Sequence, residues 1–147
     1  MITTLLPRSA ALRLLRTVIA AVGVYGLAMV CIGLVVADEL FDRLGFGPAD
    51  GGVTSDEARD YVQLMVAVVG AVIVGWMTTL FLVLRNATAE LDRATWTIVT
   101  ASVVVWFVVD TSASLALGWP THALFNVASI ATLAVPLVAL RPVLPDA

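Results

Sequence analysis

Apolar residues in this chain do not alternate with polar ones. They come in four long runs separated by short polar links. Residues 17–37 and 61–84 carry no charge, residues 95–117 carry one (Asp110), and residues 123–140 carry none but are interrupted by Pro136. An α-helix needs about 20 mostly apolar residues to cross the hydrocarbon of a bilayer, so each run predicts one spanning helix. The expected fold is all-α: a four-helix transmembrane bundle with up-down topology, forming a single membrane domain over 1–147. The first run is about 20 residues long, against roughly 7–15 for the apolar core of a signal peptide. Val35-Val36-Ala37 is a poor cleavage site, so this run is expected to be a retained helix.

The polar links set the orientation. Arg8, Arg13 and Arg16 precede the first run, Arg85 and Arg93 lie between the second and third, and Arg141 follows the fourth. The other side has only Arg43 and Arg59. Arg excess marks the cytoplasmic side, so both ends are expected inside (N-in/C-in). The segment before the first run mixes Leu5, Leu6, Leu12 and Leu15 with its Arg residues. It reads as the positive flank of helix one, or else as a short surface helix. Residues 38–60 form an acidic outer loop with Asp38, Glu39, Asp42, Asp50, Asp56, Glu57 and Asp60. It lacks the carboxylate spacing of a Ca²⁺ loop and reads as solvated. Thr54 and Glu57 have capping-box spacing, which starts helix two near Ser55. The Asn86-Ala87-Thr88 sequon faces the cytoplasm in this arrangement and carries no glycan.

Composition sharpens the picture. Hydrophobic residues make up 61% of the chain and charged residues 13%, against roughly 25% charged in an ordinary soluble domain. So much apolar surface in 147 residues implies the lipid bilayer as solvent. All eight basic residues are Arg, and with the abundant Ala and Val this codon usage suggests a GC-rich bacterial genome, hence the bacterial cell (inner) membrane, multi-pass. A net charge of −3 and the lack of a basic stripe with interleaved aromatics argue against nucleic acid as a partner. The lone Cys31 excludes an internal disulfide. Val30 before it departs from a lipidation site, so it reads as apolar filler.

Small residues suggest how the helices meet. Gly26 and Gly33 lie on one stripe of helix one; Ala67, Ala71 and Gly75 lie on one stripe of helix two. Pro136 removes a backbone donor in helix four and leaves the Thr132 carbonyl without it, so a kink or an early end is expected there.

Asp110 is the one ionisable residue well inside a run, about 10 Å deep at 1.5 Å per residue. Such a charge should face the bundle interior or a wet cavity. Trp106 and Ser114 share its face at four-residue spacing. On helix four, His122, Asn126 and Ser129 share another. Counting out from a turn at Gly118-Trp119-Pro120-Thr121 sets Ser114 level with Asn126, and Asp110 level with Ser129 and Ile130. The expected cluster is Asp110, Ser114, Asn126 and Ser129, with His122 near the outer mouth. One reading makes it polar glue, each interhelical bond worth about 0.6–2 kcal/mol. The other makes Asp110 a proton- or ligand-binding group. Enzyme chemistry is poorly served: there is no G-x-S-x-G elbow, no phosphate loop and no G-x-G-x-x-G. One His and one Cys do not assemble a zinc site, and no metal or cofactor is expected.

Over residues 106–137 the pattern Trp106-x3-Asp110-x3-Ser114-x3-Gly118-x7-Asn126-x9-Pro136-Leu137 resembles that of small four-helix bacterial integral membrane proteins. The layout also resembles the DoxX-like group. These resemblances imply the fold and no particular activity. Small multidrug transporters are similar in helix count but carry an essential Glu in helix one, and residues 17–37 contain no acid. The functional expectation is a non-enzymatic accessory or oligomeric structural subunit, a homo-oligomer or a partner of another membrane protein, with a polar pocket at the outer end of helices three and four. The alternatives are a small proton-coupled transporter using Asp110, and a quinone- or haem-binding redox accessory near Trp106, Trp119 and His122.

Overall fold

A computed structural model describes residues 6–35, 56–88 and 90–142 of the chain. The acidic loop, as far as residue 55, and the Thr54 side of the capping box lie outside them. The described residues form four α-helices and no strand: α1 (Arg8–Val35), α2 (Asp56–Arg85), α3 (Arg93–Ala116) and α4 (Pro120–Ala139). Each contains a stretch long and apolar enough to cross a membrane, at Arg8–Cys31, Asp60–Arg85, Arg93–Ala116 and Pro120–Ala139.

Helix α1 takes in the segment that reads from sequence as a positive flank or a separate surface helix. It starts directly after Pro7, whose carbonyl accepts from the Ala11 amide at 2.9 Å. A proline at a helix entrance costs no hydrogen bond, because the first amides have no partner within the helix. The Arg8 to Arg16 stretch is therefore the opening of α1 itself, with Ala11, Leu12 and Leu15 buried and Arg13 exposed.

The chain divides into two compact units. In the unit formed by Ile19–Thr79, α1 and α2 meet backbone to backbone at Gly26 and Gly70, both buried. A Cβ on Gly70 would stand 2.5 Å from the Gly26 carbonyl oxygen and 2.9 Å from the Val30 nitrogen. A Cβ on Gly26 would stand 2.7 Å from Cγ2 of Ile73. The contact stripe of α2 is therefore Gly70, Ile73 and Met77, and Ala71 and Gly75 of the expected stripe do not lie on it. Ala71 and Gly75 are exposed, and Gly75 has open space where a side chain would go. The physical reason is helical phase: at 3.6 residues per turn Gly75 lies well round the helix from Gly70. The surroundings of Gly33, the other half of the expected α1 stripe, lie outside what the structure describes.

The other unit comprises Met1–Val18 and Leu80–Ala147. It holds most of the fully buried side chains, among them Leu15, Leu84, Val99 and Leu140. Helix ends close this core. The Arg16 guanidinium donates to the Leu84 carbonyl (2.6 and 3.2 Å), the Arg85 carbonyl (3.1 Å) and the Ala87 carbonyl (2.9 Å). A helix C-terminus leaves its last carbonyls without amide partners and carries partial negative charge, so a guanidinium there answers both needs. Likewise the Arg8 guanidinium donates to the Arg141 carbonyl just past α4 (2.6 Å), and the Trp96 indole N–H of α3 donates to the Leu137 carbonyl (2.9 Å). Helix α4 runs through Pro136 to Ala139, so the proline does not end it early. Pro136 is buried and its carbonyl still accepts from the Leu140 amide at 2.9 Å. At the start of α3, Asp92 accepts from the Thr95 amide (2.9 Å) and hydroxyl (2.6 Å). These bonds hold its carboxyl below the ordinary carboxylate range.

The Gly26–Gly70 crossing yields a direct expectation. Gly70→Ala should destabilise the detergent-solubilised protein by about 1–3 kcal/mol, the usual cost of overpacking. Gly75→Ala should be neutral or slightly stabilising. Equal thermal shifts for the two variants would contradict this account.

Candidate functional site

The site is built where α3 gives way to α4. Helix α3 ends on Gly118, which adopts the left-handed conformation (φ 77°) that favours glycine. The Gly118 amide donates to the Leu115 carbonyl (3.1 Å) and the Trp119 amide to the Ser114 carbonyl (2.8 Å). This is a Schellman ending, which satisfies carbonyls the helix would otherwise orphan. Pro120 then opens α4, where its fixed φ and missing N–H suit a first helical position. Only Leu117, Gly118 and Trp119 separate the helices, and α3 and α4 pack directly on one another.

This tight turn decides which side chains meet. Asp110 Oδ2 accepts from the Asn126 side-chain amide at 2.7 Å and lies 3.1 Å from His122 Nε2. The second contact is a hydrogen bond to a carboxylate when the imidazole carries its proton on Nε2. His122 and Asn126 are one turn apart, so a single carboxylate oxygen reaches both. The His122 ring also stacks on Phe125, with centroids 6.3 Å apart. Asn126 is 0% exposed, whereas the His122 and Asp110 side chains are 40% and 37% exposed.

The register differs from the expected one by about a turn. The sequence count opens helix four at Ala123 and sets Asp110 level with Ser129 and Ile130. In the structure α4 begins at Pro120, and the partners of Asp110 become His122 and Asn126. His122 is therefore a direct partner of Asp110, not an outlying residue. Ser129 does not join: its hydroxyl donates to the Phe125 carbonyl at 2.9 Å, within its own helix. The buried Ser114 donates to the Asp110 backbone carbonyl at 2.7 Å and leaves the carboxylate alone. Trp106 lies half-buried one turn before Asp110. Trp119 sits at the N-cap of α4 and supplies no side-chain cap bond there.

Three buried oxygens in this unit lack a partner: Oδ1 of Asn126 and the hydroxyls of Thr100 and Thr111. Each such group ordinarily costs about 1–3 kcal/mol. Beside Asp110, the free Asn126 oxygen is an acceptor held ready for a donor. Among the described residues no three His, Cys, Asp or Glu side chains converge as a metal site would require. A hollow of about 270 Å³ lies elsewhere, at the link between α2 and α3, where Asn86, Thr88, Glu90 and Asp92 line it. It does not reach the Asp110 cluster.

No protein-family model matches the chain, and no curated protein or solved structure is significantly similar to it. The site is therefore read from its own geometry. Sequence reasoning overlooked Trp96, Arg8 and Arg16 as interhelical donors. The available signal was the arrangement of antiparallel helices, which brings donors at one helix start beside the bare carbonyls at another helix end.

The different fates of the polar residues on α4 can be tested by unfolding the solubilised protein. Asn126→Ala should cost about 1–3 kcal/mol, because it leaves a carboxylate short of a donor. Ser129→Ala should stay within about 0.5 kcal/mol, as is usual away from such features. A reversed order would restore the register expected from sequence.

Proposed function

We propose that the chain is a multi-pass protein of the bacterial cell membrane that acts without catalysis, as an accessory or oligomeric structural subunit. In this reading four helices cross the bilayer up and down with both ends in the cytoplasm. Four helices apolar enough to span support it, as does the gathering of six of the eight Arg residues at the helix ends expected to lie inside. The bonds from Arg16 to α2, from Trp96 to α4 and from Arg8 to Arg141 favour up-down connectivity, since each joins the start of one helix to the end of another. Large apolar side chains such as Val105, Val109, Leu124 and Val138 point away from the chain. They suit contact with lipid or with another subunit.

One observation carries the structural role: a single carboxylate oxygen of Asp110 takes up both His122 and Asn126 across the α3–α4 interface. The hydroxyls of Ser114, Ser129 and Thr132 meanwhile bond back along their own helices. The cluster works as a lock between two helices, with Asp110 as its acceptor.

A second reading, a small proton-coupled carrier, draws on the exposed part of the Asp110–His122 pair and on the unpartnered Asn126 oxygen. A protonated Asp110 would have a donor to offer that oxygen. Two measurements separate the readings. A double-mutant cycle with Asp110→Leu and Asn126→Leu should give a coupling of about 0.6–1.7 kcal/mol, the span seen for interhelical bonds in membranes. In reconstituted vesicles, Asp110→Asn should leave ion and proton flux unchanged. Loss of a pH-dependent flux in Asp110→Asn, with the fold intact, would replace the lock with the carrier.

A further inference from the structure

We infer that the end of the chain where the starts of α1 and α3 lie beside the ends of α2 and α4 binds the phosphate headgroups of anionic lipids. This site is distinct from the Asp110 lock, and it rests on the multi-pass reading only in needing a bilayer beside it. Six Arg residues gather there: Arg8, Arg13, Arg16, Arg85, Arg93 and Arg141. Arg8 and Arg16 are committed to helix-end carbonyls. Those bonds also offset the partial negative charge that α2 and α4 would otherwise present. Arg13, Arg85, Arg93 and Arg141 are exposed, and their guanidinium groups make no hydrogen bond or ion pair with another described residue. The described acids at this end are Glu90 and Asp92, and Asp92 is taken by the Thr95 amide and hydroxyl.

The contacts bring Arg93 and Arg141 to one level and set Arg85 at the same end of the unit. The bond from Trp96 to the Leu137 carbonyl aligns α3 with α4. Arg93 lies one turn before Trp96 and Arg141 one turn after Leu137, so both stand just beyond that bond on the same side. Arg8 reaches the Arg141 carbonyl, and Arg16 reaches that of Arg85. A phosphate matches the planar donor fork of a guanidinium, which a carboxylate-poor surface leaves open. An apolar neighbour points to a lipid as the source of that phosphate. Val138, just before Arg141 at the end of α4, is exposed at 64%. It gives an acyl chain an apolar surface close to that cation.

The test uses the full chain in nanodiscs and micelles, with phosphatidylglycerol as the probe and phosphatidylcholine as the neutral comparison. Lipid retention is read by native mass spectrometry, and lipid-dependent thermal stability is read in parallel. The unmodified protein should prefer phosphatidylglycerol, and the preference should fade with salt. Each juxtamembrane Arg should contribute about fivefold in affinity, so Arg13→Gln, Arg93→Gln and Arg141→Gln combined should weaken binding roughly a hundredfold. The single variant Arg85→Gln should lose about fivefold and serves if the triple variant misfolds. Equal retention of the two lipids, or unchanged affinity in these variants, would overturn the proposal. Inorganic phosphate that stabilises the protein as well as the lipid does would also overturn it, marking a site for a free anion. Vesicle flotation tests membrane insertion separately, so loss of lipid preference in a chain that still floats counts against this site alone.

Discussion

A carboxylate carried nearly two turns inside an apolar helix is costly unless donors reach it, and the α3–α4 half of this chain is organised around that demand. Asp110 finds two donors on α4, and both come from one helical turn. For that turn to arrive at the right height, the link between the helices has to be short and fixed. The left-handed Gly118, the Schellman bonds to Leu115 and Ser114, and Pro120 at the first position of α4 fix it. The turn sets the register, and the register lets one oxygen collect both His122 and Asn126.

The opposite end of the same unit follows a related logic with neutral acceptors. Helix ends expose carbonyls that the helix itself leaves without donors. Arg16 spreads four bonds over three carbonyls at and just past the end of α2, while Arg8 and Trp96 serve the end of α4. These donors sit above the most completely buried side chains of the chain, so polar capping and apolar burial reinforce each other there. In the Ile19–Thr79 unit the helices meet by another means: two glycines let α1 and α2 touch at the backbone.

Much of this was legible in the sequence because helix-forming apolar runs are long and distinct. The four helices, the meeting of Asp110 with Asn126, and a start of α2 ahead of its apolar run all follow from run length and spacing. The Asp110 partners were misjudged by a turn because a Pro inside a turn signal reads equally as loop or as the first residue of a helix. Only the geometry of Trp119 and Gly118 makes it the latter. The α1–α2 contact was misjudged for a different reason. Small residues lie all around α2, and Gly70, Ala71 and Gly75 differ in helical phase rather than in kind, so composition alone does not select the buried one. The roles of Arg8 and Arg16 were hidden because an Arg before an apolar run reads as a charge flank until a neighbouring helix end is known to lie within reach.

The most direct test of the lock is a distance within a bilayer. Solid-state NMR on protein labelled at the Asp110 carboxyl carbon, the Asn126 side-chain nitrogen and the His122 ring nitrogens measures the carbon–nitrogen dipolar couplings in lipid. The hydrogen bond at 2.7 Å predicts a strong coupling that disappears in Asn126→Leu, with the His122 ring nitrogen giving a second, weaker one. A carboxyl with no coupling to either nitrogen, in protein whose four helices are intact, would contradict the account.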